Sequence, residues 1–190
     1  SVQMGSFSTR QATLSGNYKT LKNRAKFTAD YLETDGTNIS RTGSENDGLD
    51  NLTLGLSGRF DASDNLSFEY TARHTDKTSE YDATDFFVTG LPTDADYRTH
   101  SEYLYTGISL KHTINDKFDH RLGLQRTDTD NQTQNDNPID SITRATRDAL
   151  RYQVNYYNAA NRLSLLVERE TEKYEQRGPV SFFGDPNRNE

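Results

Sequence analysis

From Leu52 to Phe60 the chain reads Leu-Thr-Leu-Gly-Leu-Ser-Gly-Arg-Phe, with polar or small residues set between apolar ones at a period of two. Successive side chains of an extended strand point to opposite faces, so this pattern predicts a β-strand with one apolar and one polar face. Leu66, Phe68, Tyr70 and Ala72 repeat it against Ser67, Glu69, Thr71 and Arg73, and the turn-forming Asp-Ala-Ser-Asp-Asn lies between. The two runs read as one antiparallel hairpin. Three more follow the same rule. Ala12, Leu14 and Tyr18 precede a turn near Thr20–Asn23, and Ala25, Phe27, Ala29 and Tyr31 follow it. Leu104, Ile108, Leu110 and Ile114 lead through Asn115–Lys117 to Phe118, Leu122 and Leu124. Leu150, Tyr152, Val154 and Tyr156 lead through Asn158–Asn161 to Leu163, Leu165 and Val167. About eight strands in four hairpins are expected.

The connections alternate in length. Inside each hairpin they are a handful of residues; between hairpins they are long and polar, over Glu33–Asp50, Thr75–Thr99, Asp128–Thr146 and from Thr171 onward. Long structureless loops are uncommon in compact soluble domains, whereas membrane barrels pair short periplasmic turns with long extracellular loops. The polar positions hold Lys26, Asp30, Arg59, Glu69, Arg73, Lys111, Arg121 and Glu168. So charged a face cannot form the core of a sandwich, whose inner layers are both apolar. Tyr18, Tyr31, Phe60, Phe118 and Tyr156 fall towards the expected strand ends, the place of aromatic girdles. The expected fold is all-β: an antiparallel up-and-down transmembrane β-barrel segment with short periplasmic turns and long extracellular loops, in the bacterial outer membrane.

Composition agrees once that architecture is allowed. Only 31% of residues are hydrophobic, mean hydropathy is −0.97 and the net charge is −7, values that border on disorder. The 11 Tyr and 9 Phe argue against disorder, and a barrel needs only one thin apolar face. Cysteine is absent, which excludes disulfides and thiol chemistry. Net negative charge without a basic stripe disfavours nucleic acid. No Ser-His-Asp arrangement or phosphate loop stands out, so no enzyme is expected. His74, His100, His112 and His120 are scattered without a zinc-type spacing, and no zinc site is expected either.

Two polar stretches carry candidate ligands. Glu45, Asn46, Asp47 and Asp50 crowd around Gly43 and Gly48, and Asp82, Asp85, Asp94 and Asp96 crowd a second stretch, with Asn38 upstream of the first. Calcium takes six to eight hard oxygens of this kind. The competing reading is a solvated acidic loop. An EF-hand is excluded, because Leu54 occupies the position of its bidentate glutamate. Phe86, Phe87 and Val88 stand among polar residues as apolar tips that can touch a ligand, and Phe182 and Phe183 form a second such group.

The segment YLETDGTNISRTGSENDGLDNLTLGLSGRFDASDNLSFEYTAR resembles the first part of the barrel of TonB-dependent outer-membrane transporters. Within that family it is most similar to the cobalamin (vitamin B12) branch, in which a loop ends in an acidic DNDG-type run and a later loop contains YDA. Here ENDG spans Glu45–Gly48 and EYDA spans Glu80–Ala83. The resemblance implies a barrel of about 22 strands, of which residues 1–190 form a single segment, with the plug domain and the remaining strands outside it. It implies calcium ligands at Glu45, Asp47, Asp82 and either Asp94 or Asp96, with Asn38 a looser match; Glu45 stands where the family pattern has aspartate. The implied function is active import of a bulky, scarce nutrient of the cobalamin or metal-chelate (siderophore) class. Expected partners are outer-membrane lipid and lipopolysaccharide, the TonB system through the plug, and the small-molecule nutrient. A monomeric barrel is expected, with no nucleic acid and no required cofactor; calcium in the extracellular loops is an optional ion. Two rivals remain: a small eight-stranded outer-membrane barrel serving adhesion or envelope structure, and a calcium-stabilised soluble β-rich binding protein.

Overall fold

The computed structural model describes residues 1–40, 43, 45–135, 141–178 and 188–189; Arg41, Thr42, Ser44, Phe182 and Phe183 lie outside the described residues. The alternating sequence forms ten strands: β1 (Val2–Met4), β2 (Arg10–Lys19), β3 (Asn23–Thr37), β4 (Asp47–Ser63), β5 (Leu66–Thr84), β6 (Pro92–Asn115), β7 (Phe118–Gln134), β8 (Ser141–Tyr157), β9 (Arg162–Arg177) and β10 (Arg188–Asn189). They make one antiparallel sheet in which each strand pairs with its neighbours in chain order. This is an all-β meander. Among the described residues no residue is helical, and no ladder joins β1 or β2 to β9 or β10.

The eight long strands β2–β9 are those expected from the alternation, and the four tight turns fall where the polar clusters put them. Thr20 N–H donates to Asn23 O at 2.7 Å, and Asn115 Oδ1 accepts from the N–H groups of Lys117 and Phe118. Asn158 Oδ1 does the same for Ala160 and Asn161. Short polar side chains replace backbone partners at such reversals.

Among the described residues, much of the long polar stretches is strand rather than loop. Thr75–Thr99 is mostly ladder: β5 and β6 stay paired from Leu66↔His112 to Thr84↔Pro92, and only residues 85–91 connect them. Likewise β3 and β4 pair as far as Thr37↔Asp47, and β7 and β8 as far as Thr133↔Ser141. Polarity suggested loops because the apolar half of the alternation fades there. Thr and Tyr nevertheless keep β-propensity, and cross-strand polar pairs hold a ladder without a core. The longest strand, β6, has 24 residues, ~80 Å at ~3.3 Å per residue.

The register gathers the alternation into two unlike faces. Leu14, Ala29, Leu54 and His74 lie in one row, Phe27, Leu56, Ala72 and Thr106 in another, and Ile108, Leu124 and Leu150 continue the band towards Tyr152 and Val167. An apolar band therefore crosses all eight long strands. On β4 it extends from Leu52 to Phe60, ~30 Å along the strand. At its turn end aromatic pairs close it: Phe60 stacks on Phe68 with centroids 6.5 Å apart, and Phe118 meets Tyr156 at 4.9 Å. Tyr31 departs from the expected position, since it lies mid-strand opposite Leu52 at the other edge of the band.

The opposite face carries all the charged residues assigned to it from sequence, and several are joined by ion pairs. Arg59 joins Asp61 and Glu69, Arg121 also reaches Glu69, Arg151 binds Glu168, and Arg147 binds Glu170. The five buried residues among those described are Ser67, Ser101, Asp119, Ala149 and Asn155, and all five belong to this face. A 660 Å³ concavity on it is lined by Glu69, Tyr105, Arg121, Arg151, Gln153 and Glu168 among others. The sheet shields its polar face and leaves its leucines open.

Candidate functional site

The hairpins run well past the apolar band, and their distal ends gather the acidic residues. β4 begins at Asp47, beside the end of β5, where Gly48 N–H donates to Glu80 Oε2 at 3.1 Å. β6 bulges opposite Asp82: between Tyr81↔Tyr97 and Ala83↔Thr93, its Asp94, Ala95 and Asp96 face this one residue of β5. A bulge frees one residue from pairing and re-aims its side chain. Here Asp82 Oδ1 accepts the Ala95 N–H at 3.3 Å, which ties β5 to the Asp94–Asp96 stretch. Gly36, in the left-handed region, lets β3 turn over the start of β4: a Cβ there would collide with the Asp47 carbonyl oxygen.

The result is a shared acidic cluster. Burial first, then the charges of Asp96, Asp94, Glu80 and Asp47, raise the Glu45 carboxyl above the usual range. Burial and the Asp82 charge raise Asp47, against a lowering hydrogen bond from the Ile39 N–H. One oxygen of Asp47 and one of Asp82, both Oδ2, are buried without a hydrogen-bond partner. The structure thus places Glu45, Asp47, Asp82, Asp94 and Asp96 close enough for their charges to act on one another, but among the described residues no three of these carboxylates offer oxygens within 4.8 Å of one another. It adds Glu80, whose place two residues from Asp82 was a legible signal. Asn38 is used locally, its Oδ1 accepting the Ser40 N–H at 2.7 Å. These oxygens are hard donors of the kind calcium takes.

The β5–β6 tip is a self-contained turn. Burial pushes the Asp85 carboxyl up, but the N–H groups of Val88, Phe87 and Thr89 and the Thr89 hydroxyl outweigh it and hold it below the usual range. Bound by its own acid, the turn presents Phe86 and Phe87 outward, 83% and 99% exposed. Apolar side chains this exposed on an ordered turn are free to meet a ligand.

The ladder also assembles histidine contacts that linear spacing conceals. His100 lies between Asp76 and Glu102, with a ring nitrogen 3.6 Å from each. His112 and His120 face each other across the β6–β7 turn, Nδ1 to Nε2 at 3.0 Å, and the Tyr152 hydroxyl lies 3.2 Å from His120 Nδ1. No family model and no curated protein matches the chain.

Proposed function

We propose that the chain is a membrane-spanning segment of an outer-membrane β-barrel that imports a bulky, scarce nutrient, in the manner of TonB-dependent transporters. The observation that carries this is the inversion of the sheet: four of the five buried residues among those described are polar, while Leu54, Leu56, Leu124 and Leu150 are 36–51% exposed. In water so broad an apolar surface is a liability; against lipid it is the surface a barrel needs. The ~30 Å of band along tilted strands matches an apolar belt about 25 Å tall. The polar face then lines a lumen, and lipid and lipopolysaccharide meet the band and its rim. Closure of the sheet would come from further strands added at its open edges, as the resemblance implies.

On this reading the distal hairpins stand outside the cell. The cluster at Glu45, Asp47, Glu80, Asp82, Asp94 and Asp96 binds calcium, which neutralises its mutual repulsion and stiffens the capture surface. Phe86 and Phe87 contact the nutrient, of the cobalamin or metal-chelate class. The TonB system supplies energy through a plug domain, and no bond of the substrate is made or broken.

The test is uptake of labelled cobalamin and ferric siderophores by cells producing the full-length protein, with and without a functional TonB system. TonB-dependent accumulation of one substrate is expected. A chain that stays folded and monomeric in buffer without detergent or lipid would overturn the membrane assignment. A membrane barrel without TonB-dependent uptake would leave an adhesive or structural role.

A further inference from the structure

The geometry points to a second metal site, built by Asp76, His100 and Glu102, that takes a zinc-class divalent transition ion. One ligand atom from each residue lies within 4.8 Å of the others, the one such triad among the described residues. Asp76 and Glu102 are direct partners in the β5–β6 ladder, and like charges so placed repel. The next residue across, Asp130, already holds the nearby cation: Arg144 Nε binds it at 2.7 Å. The paired carboxylates are thus left to His100. Its Nδ1 lies 3.1 Å from the Thr78 hydroxyl and 3.6 Å from Asp76 Oδ1, and its Nε2 lies 3.6 Å from Glu102 Oε1. An imidazole held by an outer hydrogen bond and flanked by carboxylates is the donor set zinc accepts. Calcium prefers an all-oxygen shell.

The three side chains are 38–55% exposed, so an ion reaches them from solution, and three protein ligands leave a coordination position open. The site lies on the charged continuation of the face that bears the apolar band, separate from the Asp47 cluster. It does not depend on the membrane reading. The alternative is an imidazolium bridging the two carboxylates with no metal.

Calorimetric titration of the whole protein with zinc chloride distinguishes them. Wild type is expected to take up one ion that excess calcium chloride does not displace. His100→Ala is expected to weaken binding at least about tenfold, the scale on which even outer-shell losses act. His74→Ala and His120→Ala should leave it unchanged. Glu102→Gln, at an exposed position, repeats the test if His100→Ala fails to fold. No zinc uptake, equal uptake by His100→Ala, or loss in His120→Ala alone would overturn the proposal.

Discussion

Asn155 donates its side-chain amide to Asp119 Oδ1 at 2.6 Å, directly across the β7–β8 ladder, and both residues are buried. The Tyr157 hydroxyl donates to the other Asp119 oxygen at 2.8 Å, while Asn155 Oδ1 accepts from Gln153, Arg162 and Ser164. In this sheet the best-shielded contact is polar. Removing one partner of a shielded polar pair leaves the other unsatisfied, at a cost of about 1–3 kcal/mol. Asp119→Ala is therefore expected to destabilise the fold by about that much, and Tyr157→Phe by about 1 kcal/mol. Denaturant unfolding of the single and double variants measures both; additivity would show that the residues do not act as one network.

Leu56 occupies the middle of the band on β4, between Phe27 and Ala72. If the band faces lipid, Leu56→Arg should cost about 2–4 kcal/mol in vesicles. Thr53→Arg, on the polar face directly opposite Asp30, should stay within about 1 kcal/mol. Reversible unfolding from lipid vesicles gives both values, and equal small effects would count against a lipid-facing band.

Gly58 leaves room for the ring of Tyr70, its partner on β5: a Cβ there would run into the Tyr70 phenol and the Arg24 carbonyl oxygen. Overpacking of this kind costs about 1–3 kcal/mol. Gly58→Ala should lose about that much stability, and Tyr70→Ala should recover part of it. Thermal unfolding of the three variants tests the coupling.

Asp47 gives the distal end an unusual pH response. Its carboxyl is raised by burial and by Asp82, so the folded chain holds that proton more tightly than the unfolded chain. The penalty is absent at low pH and sets in as pH rises through and above the ordinary aspartate range. Mild acidification should raise the hydrogen-exchange protection factors of Gly48 and Ala95, the rates being corrected for their intrinsic pH dependence, and Asp47→Asn should reproduce the rise at neutral pH. Added calcium should slow the same amides in wild type and not in Asp47→Asn. Protection factors that do not change with pH would refute the shared-charge account.

Phe87 is 99% exposed and leaves the Asp85 turn intact if replaced. Phe87→Ser is expected to change stability by less than about 0.5 kcal/mol while reducing nutrient binding, read by equilibrium binding of labelled cobalamin. Full binding by the variant would remove the tip from the capture surface.

The amino-acid sequence alone determined the alternating middles of the eight long strands, the four tight turns and the two faces, because period-two alternation and turn chemistry act over a few neighbouring residues. Leu52–Phe60 could only be a strand, and Lys26, Asp30 and Glu69 could only share a face. Tertiary structure decided what depends on partners. Thr75–Thr84 is strand rather than loop because β6 pairs with it along its length. Glu80 joined the acids because β4 begins beside it, and His100 met Asp76 and Glu102 only through the β5–β6 register. A cross-strand neighbour can lie more than twenty residues away in the chain, and register, which is set by the whole ladder, chooses which residues meet.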